Sequence, residues 1–286
     1  MTAAQINHLT WVIPCFEEAA RIDGPAFLAL VDKCAPASLI FVDDGSRDKT
    51  FARLRSIAEQ RPAKVEVIAL PENRGKGEAV RQGLLRALSR GTEVVGYVDA
   101  DLATPPQELH RLATLVRTGT YDILMGSRVQ LLGHSIERRP ARHYFGRVFA
   151  TCASLGLGLP VYDTQCGAKL FRRTEALAAA LERPFASRWV FDVELLARLI
   201  HPHAGIAGIA VERIREEPLL SWTDVPGSKL SPGAALRSGL DLLRLGLKLR
   251  LHSRRGEPLG PYPPPSPPLA SLGLAPLGKA RRRGGG

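Results

Sequence analysis

The chain has 286 residues, with 39 Lys and Arg against 28 Asp and Glu for a formal net charge of +11. That length suits one large α/β domain with an ample core, and one domain with extensions is favoured over two small ones. The four cysteines, Cys15, Cys34, Cys152 and Cys166, form no Cys-x-x-Cys pair and no metal-finger spacing, which fits reduced thiols in a cytoplasmic compartment. Residues 1–10 lack a basic segment followed by an apolar core, and no apolar run reaches the roughly 18 to 20 residues of a membrane span; neither secretion by that route nor a membrane-integral chain is expected.

Strand-like apolar runs recur at 9–14, 39–42, 65–70, 94–98 and 123–125, with amphipathic stretches between them at 25–34, 48–60, 77–89 and 105–116. This alternation predicts a mostly parallel sheet with helices on both faces. Residues 138–157 read as a helix with Ala141, Phe145, Val148, Phe149 and Cys152 along one stripe and arginines beside it, as in a helix lying at an anionic interface. A second amphipathic helix is expected over 233–252, where Arg237, Asp241, Arg244, Lys248 and His252 share a narrow arc opposite leucines. From 253 to 286 the composition is Pro, Gly, Ser and Arg, which predicts a disordered tail. Residues 1–232 are left as the globular domain. Most of the positive excess falls after residue 243, implying attraction to an anionic partner. A membrane surface suits it better than nucleic acid, because Tyr262 is the only aromatic residue beyond position 250.

Several predicted strands end in polar residues. Pro14-Cys15-Phe16-Glu17-Glu18, Asp43-Asp44-Gly45-Ser46 and Asp99-Ala100-Asp101 gather carboxylates on one rim of the sheet, where open α/β sheets bind ligands. Asp99 and Asp101 lie one residue apart and repel each other unless a cation sits beside them. Oxygen-only donors favour Mg²⁺ or Mn²⁺. Taken alone, the pair is equally a strand end followed by a turn, with Asp101 or Thr104 capping a helix opened by Pro105. Two common nucleotide folds are excluded: there is no Gly-x-x-x-x-Gly-Lys-Ser/Thr, and Gly75-Lys76-Gly77 continues to Val80 where a dinucleotide fingerprint needs Gly. Asn73-Arg74-Gly75-Lys76-Gly77 still offers two glycines at a helix start with positive charge beside them, a place for a nucleotide or its diphosphate.

Taken in order, Val12–Glu18, Phe41–Asp48, Asn73–Gly77 and Asp99–Asp101 resemble family 2 glycosyltransferases of the GT-A fold. Gly126-Ser127-Arg128, Asp163–Phe171, Arg188–Glu194 and Trp222–Lys229 resemble the dolichyl-phosphate β-glucosyltransferases within it. The resemblance spans roughly residues 8 to 250. It implies a GT-A fold and an inverting transfer of glucose from UDP-glucose to a polyprenyl phosphate at the cytoplasmic membrane face. A GDP-mannose donor, as in dolichyl-phosphate mannose synthases, or a soluble acceptor is the alternative. Carried over by position, Pro14, Phe16, Glu18 and Asp43 would hold the uridine, with Asp44 and Lys76 close by. Asp99 would contact ribose and diphosphate, and Asp101 would bind the metal. Arg128 and Arg172 are candidates for phosphate contacts, and Trp189 and Asp192 for the sugar and acceptor side. Two departures stand out: Glu17 occupies a position usually held by Asn, and Ala168 replaces a usual aromatic, predicting a roomier wall near the sugar or lipid phosphate. Oligomeric state has no sequence signal.

Overall fold

The structure, a computed structural model, describes residues 8–33, 37–137, 140–202, 205–225, 239, 241–242 and 244–246, with only the backbone described over 140–148. The first half alternates as expected: β1 (Leu9–Cys15), α1 (Gly24–Lys33), β2 (Ala37–Asp43), α2 (Thr50–Glu59), β3 (Val65–Ala69), α3 (Lys76–Ser89), β4 (Val94–Val98), α4 (Pro106–Thr118) and β5 (Ile123–Ser127). Then come β6 (Ser135–Glu137), α5 (Pro140–Leu157), β7 (Ala168–Arg172), α6 (Glu175–Leu181), α7 (Phe191–Ile200), β8 (Ile214–Pro218) and β9 (Ser221–Thr223).

Seven strands form one sheet in the order β3-β2-β1-β4-β7-β5-β8, and β6 pairs with β9 beside it. All neighbours in the large sheet run parallel except at β7, which is antiparallel to both β4 and β5. Because both faces are covered, the central strands are apolar on both sides. Leu9, Trp11 and Ile13 of β1 pack with α1, α2 and α4, whereas Val12 faces α3, α6 and α7 across the sheet. This two-residue alternation divides the core into two layers.

One cap departs from expectation. Neither Asp101 nor Thr104 caps α4: Pro105 holds the cap position in an extended conformation with no side-chain cap, and the helix begins at Pro106. Consecutive prolines preset φ at the helix start, and Glu108 N, which a cap side chain would otherwise take, donates to Pro105 O at 2.9 Å. Asp101 instead accepts a hydrogen bond from Ala103 N at 3.1 Å.

Along α5, Ala150, Ala153 and Leu157 are buried and Phe149 packs against the core, while Cys152 and Leu155 are exposed. Cys152 is therefore on the outer face, a correction to the expected apolar stripe. Ala141, Phe145 and Val148 lie outside the described side chains. The described residues of 239–246 are helical and cross α5 where two glycines meet: a Cβ added at Gly156 would lie 3.5 Å from Gly246 Cα. Leu242 is buried there and Leu245 packs on the core. The rest of the expected 233–252 helix and the 253–286 tail lie outside the described residues. Among the described residues, no helix is long and apolar enough to cross a membrane.

Candidate active site

A cavity of about 460 Å³ opens at the carboxyl rim of the sheet, lined by residues following β1, β4 and β5 and by the start of α3. Pro14, Phe16, Glu18, Asp44, Lys76, Asp99, Asp101, Arg128 and Trp189 all contribute to it. Most of the nominated residues thus meet in one place. Asp43 is buried just behind, accepting hydrogen bonds from Ser46 N and Ser46 Oγ, and borders an adjoining hollow that shares Phe16 and Asn73 with the main cavity.

Asp99 follows the last residue of β4, so the direction of the strand carries it to the rim. Its Oδ1 lies 2.5 Å from Lys76 Nζ at the first position of α3. Burial opposes its ionisation, but Lys76, assisted by Arg128 and Lys169, outweighs this and holds the carboxyl below the usual carboxylate range. Asp101 shows the opposite balance: burial and then the charge of Asp99 push its pKa up. Burial also disfavours the charged Lys76 ammonium, yet Asp99, Asp192 and Asp101 together keep its pKa above the ordinary lysine value. The turn that follows Asp101 is strained, with Leu102 at φ 51°. Gly167 is fitted against Asp99, since a Cβ there would sit 2.1 Å from Oδ2.

A divalent cation fits these donors. Asp101 is a hard oxygen ligand whose carboxylate is destabilised by the neighbouring negative charge, and a cation would relieve that. Among the described residues no cluster of three His, Cys, Asp or Glu converges. The remaining ligands would be substrate phosphate oxygens and water, the usual arrangement for Mg²⁺.

Around the acidic pair the walls are basic and aromatic. Asp163 grips Arg128 through Nε at 2.6 Å and Nη2 at 2.8 Å, and the guanidinium lies 5.3 Å from the Trp222 ring centre. Although burial works against it, Asp163 raises the Arg128 pKa further, so this cation is permanent. Asp44 accepts from Arg74 N at 2.7 Å and Gly75 N at 2.8 Å, which fixes the loop leading to Lys76. Arg188 donates to Asn73 O at 2.9 Å and to Asn73 Oδ1, and its side chain crosses Gly75, where a Cβ would come within 2.6 Å of Nε.

Three sequence expectations are corrected. Arg172 lies at the opposite end of β7, paired with Val94 at the start of β4, and its guanidinium binds the carbonyls of Val116, Gly119 and Tyr121. Because β7 runs antiparallel, its last residue points away from the rim. Asp192 is buried beneath the cavity, accepting from Lys169 Nζ at 2.6 Å and from Tyr97 OH, and does not line it. Ala168 is fully buried in the sheet opposite Val98 and does not line the cavity. Arg21, Arg188, Trp222 and Asp224 reach the cavity without having been assigned a role. The one legible hint of the buried network was Lys169, a charged residue inside an apolar strand, which requires a partner.

This arrangement of a mainly parallel sheet, an acidic pair after the fourth strand and a basic, aromatic-walled cavity defines a GT-A fold glycosyltransferase. Residues 10–177 match the description "Glycosyl transferase family 2", and the chain belongs to that family. It is similar to dolichyl-phosphate beta-glucosyltransferases: 34% identical to that of Homo sapiens over 265 residues, covering 85% of this chain and 76% of the relative. To that of Saccharomyces cerevisiae it is 30% identical over 245 residues, covering 78% and 69%. Its fold is shared with Mycobacterium tuberculosis glucosyl-3-phosphoglycerate synthase in complex with UDP, at TM-score 0.58 and 21% identity, covering 84% and 80%. A complex of the same synthase with Mn²⁺, UDP and glucosyl-3-phosphoglycerate aligns at TM-score 0.54 and 22% identity, covering 88% and 81%.

Proposed function

We propose that this chain transfers glucose from UDP-glucose to dolichyl phosphate or another polyprenyl phosphate, with a divalent cation, peripherally bound at the cytoplasmic membrane face. The observation that carries the reading is that Asp99, Asp101, Lys76, Arg128, Trp189 and Trp222 line one cavity. The names of the relatives support the acceptor class, and the bound UDP and Mn²⁺ of the structural neighbours support the donor and the metal.

When bound at Asp101, the cation supplies charge neutralisation on the departing diphosphate. The protein does the rest. Pro14, Phe16 and Glu18 border the nucleoside end, with Asp43 behind them. Lys76 lies where it can share its charge between Asp99 and the diphosphate. Arg128, held rigid by Asp163, presents a fixed cation toward a second phosphate. A phosphate monoester has its second pKa near 6, so the acceptor is already largely anionic at neutral pH and needs orientation more than deprotonation. Attack by its oxygen on the anomeric carbon forms one C–O bond as the bond to UDP breaks. A single displacement inverts the centre, giving a β-linked product from an α-linked donor.

The test is incubation with UDP-glucose or GDP-mannose, Mg²⁺ or Mn²⁺, and a polyprenyl phosphate, read by mass spectrometry. A lipid-linked hexose from UDP-glucose alone is the expected result. Absence of lipid-linked product from every donor overturns the acceptor assignment. Product from GDP-mannose alone overturns the donor.

A further inference from the structure

The wall formed by Arg188 and Trp189 belongs to an irregular segment between α6 and α7, with no strand or long helix to fix it. It is held instead from a distant part of the chain. Ser187 Oγ donates to Asp241 Oδ2 at 2.8 Å. A hydroxyl has one proton, and committing it to Asp241 leaves the lone pairs free to accept from Val190 N at 3.1 Å and Trp189 N at 3.4 Å. An ionised partner also strengthens the acceptor side of such a chain.

From there the links continue into the cavity. Arg188 binds Asn73 and lies across Gly75, and Gly77 N donates to Arg188 O at 3.4 Å. Asp44 holds Arg74 and Gly75, and the next residue is Lys76, paired with Asp99. The segment bearing Asp241 is itself anchored by the burial of Leu242 and the close crossing of Gly156 and Gly246. The polar bond is directed at a loop that walls the cavity. Arg244, a charged neighbour of Asp241, is largely exposed and 3.8 Å away.

We propose that Asp241 is a positioning residue for the nucleotide-sugar cavity: through Ser187 it fixes the Arg188–Trp189 wall, and through Arg188 the loop that presents Lys76. This rests on reading the cavity as a nucleotide-sugar site. The C-terminal segment is then part of the site without touching ligand.

The tryptophans provide a readout independent of turnover. Of the three, Trp11 is fully buried and Trp222 9% exposed, while Trp189 is 38% exposed, so acrylamide quenching of the full chain reports mainly on Trp189. Asp241→Ala should raise that quenching and weaken UDP binding, measured by calorimetry with Mn²⁺, by roughly tenfold, the scale of one hydrogen bond to a charged group. Asp241→Asn should restore both, because its amide oxygen accepts the same hydrogen bond. In a Ser187→Ala background Asp241→Ala should add nothing, and Ser187→Ala carries the test if Asp241→Ala does not fold. Unchanged quenching and UDP affinity in a folded Asp241→Ala chain overturn the proposal, as does failure of Asp241→Asn to restore them. If the wild-type chain binds no UDP while the quenching changes hold, the Asp241 link stands and only the donor reading falls.

Discussion

Glu17 sits at φ 51° on the exposed loop after β1, its N–H bonded to Ser46 Oγ at 2.9 Å. A left-handed backbone costs an ordinary L-residue on the order of 1 to 2 kcal/mol, and Asn tolerates it best because its short amide bonds locally. The Asn that the family resemblance leads one to expect at this position would suit this backbone geometry. Glu17→Asn should stabilise the protein by about 0.5 to 1 kcal/mol in urea denaturation. Asp101 is the converse case, a residue whose use opposes stability. Asp101→Asn should raise the metal-free unfolding free energy by about 1 kcal/mol, since it removes the repulsion with Asp99. The same change should abolish the Mn²⁺-dependent part of UDP binding in calorimetry. Most site residues were legible because each ends a strand or opens a helix, where sequence order alone assigns the rim. Arg172 was misread because only pairing reveals that β7 runs backwards.

At the scale of elements, α3 depends on missing side chains. Gly83 faces β1, and a Cβ there would fall 2.2 Å from Val12 Cγ1. Gly to Ala in an exposed helix stabilises by up to about 1 kcal/mol. Here Gly83→Ala should instead cost about 1 to 3 kcal/mol by overpacking, measurable as a drop in the urea midpoint. Below the cavity, Lys169, Asp192 and Tyr97 form a buried unit between β7, α7 and β4, with Lys169 1% and Asp192 4% exposed. Asp192→Leu leaves the ammonium buried without its carboxylate partner and with only the Cys166 carbonyl at 2.7 Å, and should cost about 3 to 5 kcal/mol; adding Lys169→Met should recover much of it, in the same denaturation assay. Parallel strands announced themselves as continuous apolar runs. The Asp192 network announced only its lysine, because a buried ion pair is defined by two chain-distant residues and Asp192 alone looks like a surface charge.

The whole molecule combines a net charge of +11 with exposed Leu131, Leu132 and Leu155. On the membrane-face reading proposed above, charge would bring it to the lipid and apolar contact would retain it. Cosedimentation with vesicles rich in anionic lipid should fall steeply between low and high salt, because screening shortens the reach of the charges to about 3 Å at 1 M. Neutral vesicles should bind far less at any ionic strength.

β7 also dictates when the site comes into being. It separates β4 from β5, the strands on either side of α4 in the chain, and its leading glycine abuts Asp99. Until residues 168–172 have emerged from the ribosome, β4 is the open edge of a four-stranded parallel sheet and Arg128 has no Asp163 correctly placed to hold it. An unpaired parallel edge is slow to bury and prone to pair with other chains. A pause in synthesis between β5 and β7 would therefore favour aggregation, and the catalytic pocket would be among the last features to form.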